Sequence, residues 1–277
     1  MEPVKTKKIR GMRRLFLKKG TCSQTYFYLL NREFGYRYEE EERAADTLAG
    51  GIYQQGYQCG MLWGVAMAIG AEAYRRTGDL SKATAVAIES TREVMESFTK
   101  RTGTIECEEI TKVDWGSKAS ITKYMVTGKA LNCFNLAARW APEAVQSAHE
   151  EVNKRDGDGN KPLKCCACEV IRKMGASEQD MAMVAGFAGG LGLSGSGCGA
   201  LAAVMWYKTL ADVKNKTYKY TLSNPVMEKL INDFYQASDY EMECSTITGR
   251  KFQNAREHSG FVENGGCKEL IEALARA

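Results

Sequence analysis

Proline is scarce, 4 in 277 residues, and histidine scarcer still, with 2. A chain so short of proline has few forced breaks, and its 27 glycines together with recurrent Ala, Met, Glu and Lys point to helices punctuated by glycine. Runs that alternate with period two are lacking, which argues against a sheet. Charge of one sign is lacking too: 38 basic against 34 acidic residues leave a net +4, too little to argue for a nucleic-acid partner. The excess gathers at Lys5, Lys7, Lys8, Arg10, Arg13, Arg14, Lys18 and Lys19, which reads as the solvated start of a helix. No secretory signal is visible, so a cytoplasmic, reducing location is expected. Long apolar runs are missing as well. Residues 59–71 are uncharged but too short to cross ~30 Å of hydrocarbon. Residues 181–207 are broken by glycines and serines around Ser194 and Ser196. They suit a helix, a tight loop and a second buried helix, and no membrane span is expected. The rest is ordinary globular composition, 44% hydrophobic and 26% charged, long enough for two domains of about 140 residues.

What is plentiful is cysteine: ten residues. In a reducing compartment static disulfides are rare, so ten thiols ask for metal, redox chemistry or plain burial. Burial alone predicts scattered spacing. Eight of the ten instead fall into two sets of four in one order. Cys22, Cys59, Cys107 and Cys133 step by 37, 48 and 26 residues; Cys166, Cys198, Cys244 and Cys267 step by 32, 46 and 23. Their neighbours match: Gly50-Gly51 before Cys59-Gly60-Met61-Leu62 mirrors Gly189-Gly190 before Cys198-Gly199-Ala200-Leu201. Cys107-Glu108-Glu109-Ile110-Thr111 mirrors Cys244-Ser245-Thr246-Ile247-Thr248. The chain therefore reads as a tandem duplication, a first repeat over 1–152 and a second over 153–277, with a polar linker at about 150–163. Cys165 and Cys168 are left outside the sets.

Helical spacing is expected over Glu39–Leu48 and Ser81–Lys100, the latter capped by Ser81 and closed by Gly103. Asn224-Pro225 starts another helix, and Ser177 with Asp180 a shorter one. The fold expected is all-α: two similar helical units related by a pseudo-twofold axis, a dimer carried within one chain and able to pair further as a homodimer.

Arg14-Leu15-Phe16, Gly20-Thr21-Cys22-Ser23-Gln24, a glycine pair, and Cys59-Gly60-Met61-Leu62 with Gly64 five residues after Cys59 resemble the family of redox-active proteins named for its C…GCAxxG…C…C pattern. The second half repeats the pattern through Gly186-Phe187-Ala188-Gly189-Gly190 and Cys198-Gly199-Ala200-Leu201. The departures are Met61 in the first repeat, where the family has Ala, and Ala203 in the second, where it has Gly. The resemblance implies redox activity; some relatives use selenocysteine, and a similar unit stands beside an iron–sulfur centre in split-Soret cytochromes.

From the residues themselves two chemistries follow. Four soft thiolates per set suit an iron–sulfur cluster, with Gly60, Gly64, Gly190 and Gly199 allowing close approach. Alternatively a dithiol relay would use Cys59 and Cys198, each after a glycine-rich loop at a helix N-terminus where thiolate is expected to be favoured. A structural metal such as zinc is a third option, although close Cys-x₂₋₄-Cys pairs occur only among Cys165, Cys166 and Cys168. An unidentified redox partner is implied. The Gly190-Leu191-Gly192-Leu193-Ser194-Gly195 string lacks the preceding strand of a dinucleotide site and reads as a loop shaping the Cys198 pocket. His149 and His258 are expected at the surface. Trp63, Trp115, Trp140 and Trp206 are expected in the core, Trp63 and Trp206 close enough to their motif cysteines to shield a centre.

Overall fold

The computed structural model describes residues 11–154, 162–219, 221 and 223–277. Half of the linker expected between the repeats, residues 155–161, lies outside the described residues. Among them there is no strand, and fifteen α-helices carry the fold. The first half supplies α1 (Met12–Lys19), α2 (Cys22–Glu33), α3 (Glu39–Ala44), α4 (Gly60–Thr77), α5 (Leu80–Thr102), α6 (Cys107–Thr111), α7 (Lys118–Val126) and α8 (Ala130–Lys154). The second supplies α9 (Cys166–Lys173), α10 (Glu178–Val184), α11 (Gly199–Lys214), α12 (Pro225–Ala237), α13 (Cys244–Thr248), α14 (Ala255–Glu263) and α15 (Lys268–Arg276). No helix among the described residues is long and apolar enough to cross a membrane.

The core is built around α4, buried continuously from Gly60 to Ala73. Gly64 explains how α2 lies so close against it. A Cβ there would overlap the Ser23 carbonyl oxygen and stand 2.8 Å from the Phe27 nitrogen. Farther along, a Cβ on Gly70 would overlap the Ala182 carbonyl of α10, so the central helix of the first half packs directly on the second. Tyr26 and Trp140 stack between α2 and α8, centroids 5.0 Å apart, and Phe98 of α5 meets Trp140 edge-on. Trp63, Trp140 and Trp206 are fully buried, as expected.

Local signals are mostly realised. Ser177 and Asp180 form a capping box, Asn224 caps α12 with Pro225 in its first turn, and Gly103 closes α5 in the left-handed region. Two details differ. Asp79, not Ser81, caps α5, accepting from the Lys82 nitrogen at 2.8 Å. The Ser81 hydroxyl instead accepts from the Leu163 nitrogen at 2.7 Å, so it fastens the start of the second half to α5. The Glu39 helix ends at Ala44, and Ala45–Leu48 tighten into a 3₁₀ turn, because the chain must reverse into the glycine loop that follows.

Candidate functional site: two four-thiol pockets

Each glycine loop is a left-handed turn. Residues 50–54 all have positive φ, from +49° to +75°, and residues 189–193 repeat this between +54° and +78°. Ile52, Tyr53, Gln54, Leu191 and Leu193 hold a conformation that costs a non-glycine residue roughly 1–2 kcal/mol. Matching hydrogen bonds maintain both turns. Gly56 donates to the Gly50 carbonyl and Gly195 to that of Gly189, each at 2.9 Å; Tyr53 donates to Thr47 and Gly192 to Gly186, each at 2.8 Å. A side chain on Gly190 would stand 2.5 Å from the Ser196 oxygen. The Gly190 string is thus the expected pocket-shaping loop.

The turns deliver Cys59 and Cys198 to the N-caps of α4 and α11. The next cysteine of each set is docked by the segment just before. Cys107 donates its backbone N–H to Tyr57 at 2.7 Å, and Cys244 donates to Ser196 at 2.8 Å. Isolated bridges Gln58–Glu106 and Gly197–Glu243 repeat in the same register. Cys22 and Cys166 open α2 and α9. Cys133 lies in the first turn of α8, and Cys267 caps α15.

All four sulfurs of the first set bear on one another's ionisation: Cys22 stands next to Cys59, and Cys59 feels Cys107 and Cys133. Cys166, Cys198, Cys244 and Cys267 line one cavity of about 20 Å³ with His258 and Phe252. The two sets read from spacing are therefore the two sets the fold brings together. The glycines divide. Gly60 stands against the first pocket, where a Cβ would lie 2.5 Å from Cys22 Sγ. Gly199 lines the second pocket and abuts the Phe187 backbone. Gly190, in its loop, would bring a Cβ within 3.0 Å of Cys244 Cβ, and Gly64 serves helix packing.

Electrostatics reverse one expectation. Cys59 and Cys198 sit at helix N-termini, yet their thiols are held up rather than down. For Cys59 the leading cause is the neighbouring Cys22. For Cys198, burial pushes the thiol to about 12, against the Leu201 and Ala200 backbone N–H groups. At Cys198 desolvation outweighs the helix terminus, and at Cys59 the neighbouring Cys22 does so first and burial second. The lowered thiol is Cys22, favoured first by Cys59 and then, against burial, by the backbone N–H groups of Gly50, Ser23 and Cys22 itself. Burial raises Cys107 and Cys244, Cys133 to about 11 and Cys267 to about 12. Contact with Cys165, then burial, raises Cys166 to about 12.

Two functional-looking pairs escaped the sequence reading. His258 is buried, 2% exposed, not superficial, and stands beside Cys166. Its counterpart is not a histidine but Tyr124, whose hydroxyl meets Cys133 Sγ at 3.0 Å. Tyr124 precedes Cys133, and His258 precedes Cys267, by nine residues. Likewise Trp115 is half-buried beside Cys107 rather than in the core, and Phe252 holds the equivalent place, each eight residues after the third cysteine. The rings pair edge-on in both halves: Trp115–Tyr124 at 6.0 Å and Phe252–His258 at 5.0 Å. The signal was present as spacing but hidden by the change of residue type. His149 is half-buried against Phe34, away from both pockets.

An iron–sulfur centre can be tested against these residues. The donors are four soft thiols per pocket, the type such clusters take. Trp115 and His258 each have a buried ring nitrogen, Nε1 and Nδ1, on rings that stand beside a cysteine of their own pockets, Cys107 and Cys166. The ligand type fits, and the two ring nitrogens stand where they can donate to thiolate sulfur. Among the described residues no three Cys, His, Asp or Glu side chains stand where a single metal ion would hold them. A tetrahedral zinc site with its ~2.3 Å bonds is therefore not preformed. The second pocket's cavity of about 20 Å³ is room for one water, so a cluster would have to spread the thiols.

No curated protein and no solved structure matches the chain. The profile of the family described as "Putative redox-active protein (C_GCAxxG_C_C)" matches residues 21–147 and again 164–277. Two matches, each spanning one set of four cysteines, place the chain in the C_GCAxxG_C_C family of redox-active proteins as a tandem duplication.

Proposed function

We propose that each four-thiol pocket is an iron–sulfur centre and that the chain moves electrons to or from a redox partner. The observation that carries this reading is the retention of four convergent cysteines in both halves. Thiol exchange needs two. Burial makes most of these thiols costly to ionise together, and a cluster's iron would supply the compensating charge. Cys22, Cys59, Cys107 and Cys133 would hold one centre, and Cys166, Cys198, Cys244 and Cys267 the other. Ten free thiols support a reducing compartment, the cytoplasm. The break in family matches between 147 and 164 supports the repeat boundary at 152/153, and the repeated turns, bridges and ring pairs support a pseudo-twofold relation.

The test is iron and sulfide content, with the visible spectrum, after anaerobic expression. About two clusters per chain are expected, and Cys198→Ser should remove one, since serine is a harder ligand. Iron-free protein from anaerobic, iron-supplemented cells would overturn the reading.

One observation favours a dithiol relay at the first pocket: Cys22 and Cys59 are neighbours, with Cys22 the lowered thiol and Cys59 the raised one. In that case Cys22 would be the attacking sulfur and Cys59 the resolving one. Mild oxidation would then cost two titratable thiols in the iron-free chain, tying Cys22 to Cys59.

A further inference from the structure

Cys165 and Cys168 belong to neither set and have no counterparts in the first half, where Thr21 and Gln24 stand. They are nevertheless not isolated. Cys165 is the N-cap of α9, and its Sγ accepts from the Cys168 nitrogen at 3.4 Å. Its thiol is in side-chain contact with both Cys166 and Cys168. Both outlying thiols are buried, Cys165 1% and Cys168 5% exposed, and among the described residues their other hydrogen bonds go to carbonyls: Ala185 for Cys165 at 3.5 Å, Met181 for Cys168 at 3.4 Å. The arrangement is a Cys-x-x-Cys pair in the first turn of a helix, the spacing used by dithiol redox motifs. Cys166, between them in sequence, turns instead toward the second pocket and lines its cavity.

We propose that Cys165 and Cys168 form a reversible disulfide, a two-electron store reached through Cys166 and fed by small hydroperoxides. In the metal-free chain the cavity of about 20 Å³ beside Cys166 admits a molecule near the size of water and excludes a bulky disulfide. Cys166 sulfur attacks one peroxide oxygen, the O–O bond breaks, and one oxygen leaves as water while the other stays as a sulfenic acid. The Cys165 thiol then attacks Cys166 sulfur and releases the second oxygen as water, closing a Cys165–Cys166 bond. Adjacent residues fit disulfide geometry poorly. Cys168 therefore attacks Cys165, forms the Cys165–Cys168 disulfide and returns Cys166 as a free thiol. In sum, two thiols and one hydrogen peroxide become one disulfide and two waters.

The experiment uses the full reduced, chelator-treated chain, exposed to hydrogen peroxide or to oxidised glutathione, alkylated, and cut with trypsin. The peptide Cys165–Arg172 reports directly. After peroxide it should carry one alkyl group, on Cys166, and lack two hydrogens. After oxidised glutathione it should carry three alkyl groups. Cys166→Ser should slow the peroxide reaction at least about tenfold while leaving the helical circular dichroism unchanged. Cys168→Ser should stop the sequence before the Cys165–Cys168 bond. Three alkyl groups after peroxide, a disulfide tying this peptide to Cys198, Cys244 or Cys267, or an unchanged rate in Cys166→Ser would each overturn the proposal. The readout is on thiols alone, so it stands or falls separately from iron content.

Discussion

Tyr124 and His258 show how much one residue decides in these pockets. Each sits nine residues before the fourth cysteine of its set, yet Tyr124 meets Cys133 whereas His258 stands beside Cys166. The two pockets therefore share a scaffold and differ in their proton-bearing group. Burial pushes the Cys133 thiol up to about 11, and the Tyr124 hydroxyl opposes that rise. Removing the hydroxyl should push Cys133 higher still. Tyr124→Phe is expected to slow alkylation of Cys133 at pH 8 by a few-fold without altering the other thiols, as mass spectrometry of the labelled peptides would show. Faster alkylation would mean that the hydroxyl shields the sulfur rather than stabilising its anion. The same comparison explains a missed feature. With two histidines in unlike places, the sequence suggests surface residues; only the fold reveals that histidine and tyrosine are equivalent, because spacing survived duplication and chemistry did not.

At the scale of elements, the helices and their caps were readable because they rest on local chemistry: the Ser177–Asp180 capping box, Asn224-Pro225 and Gly103 all act within one turn. The five-residue left-handed turns were not. Two glycines announce each one, but Ile52 and Tyr53 at positive φ contradict local preference and persist only because the surrounding structure holds them. Direction of thiol ionisation was misread for a related reason. A helix N-terminus is visible in sequence, while the forces that override it, the neighbouring Cys22 at Cys59 and burial at Cys198, are tertiary. Gly64 offers an element-scale prediction, since Ala203 occupies the matching place in α11. Gly64→Ala would drive a methyl into the Ser23 carbonyl and push α2 from α4. It should destabilise by roughly 1–3 kcal/mol as an overpacked core does, and displace Cys22 from Cys59. Ala203→Gly removes no clash and should cost about 1 kcal/mol, the ordinary helix penalty. Thermal unfolding of the two variants side by side decides it. Equal losses would show that α2 yields easily and that the close crossing is incidental.

Across the whole molecule the halves are not merely linked. Gln58 of the first half donates through Nε2 to the Gly190 carbonyl at 2.7 Å and the Gly197 carbonyl at 3.2 Å, holding the loop that delivers Cys198. A Cβ on Gly197 would lie 2.8 Å from Gln58 Oε1 and 2.8 Å from Ile52. The duplication and the two cysteine sets could be read from spacing; this mutual support could not, because nothing in a linear repeat says which copy's loop leans on the other. Glu106 belongs to the same junction. It pairs with Gln58 in one bridge, just before Cys107. Burial pushes its carboxyl up to about 7, the Glu109 and Glu243 carboxylates add to the rise, and the Ser196 hydroxyl of the second half opposes it. A carboxyl raised on folding keeps a proton that the unfolded chain has already released. Stability from this group is therefore full below about pH 4.5, the ordinary value, and is lost as pH climbs through about 7. Glu106→Gln keeps the shape and removes the titration. The parent chain should lose more melting temperature between pH 5 and pH 8 than the variant, both measured in the metal-free reduced form. If the two lose the same amount, Glu106 ionises freely, and the junction between the two pockets is open to water.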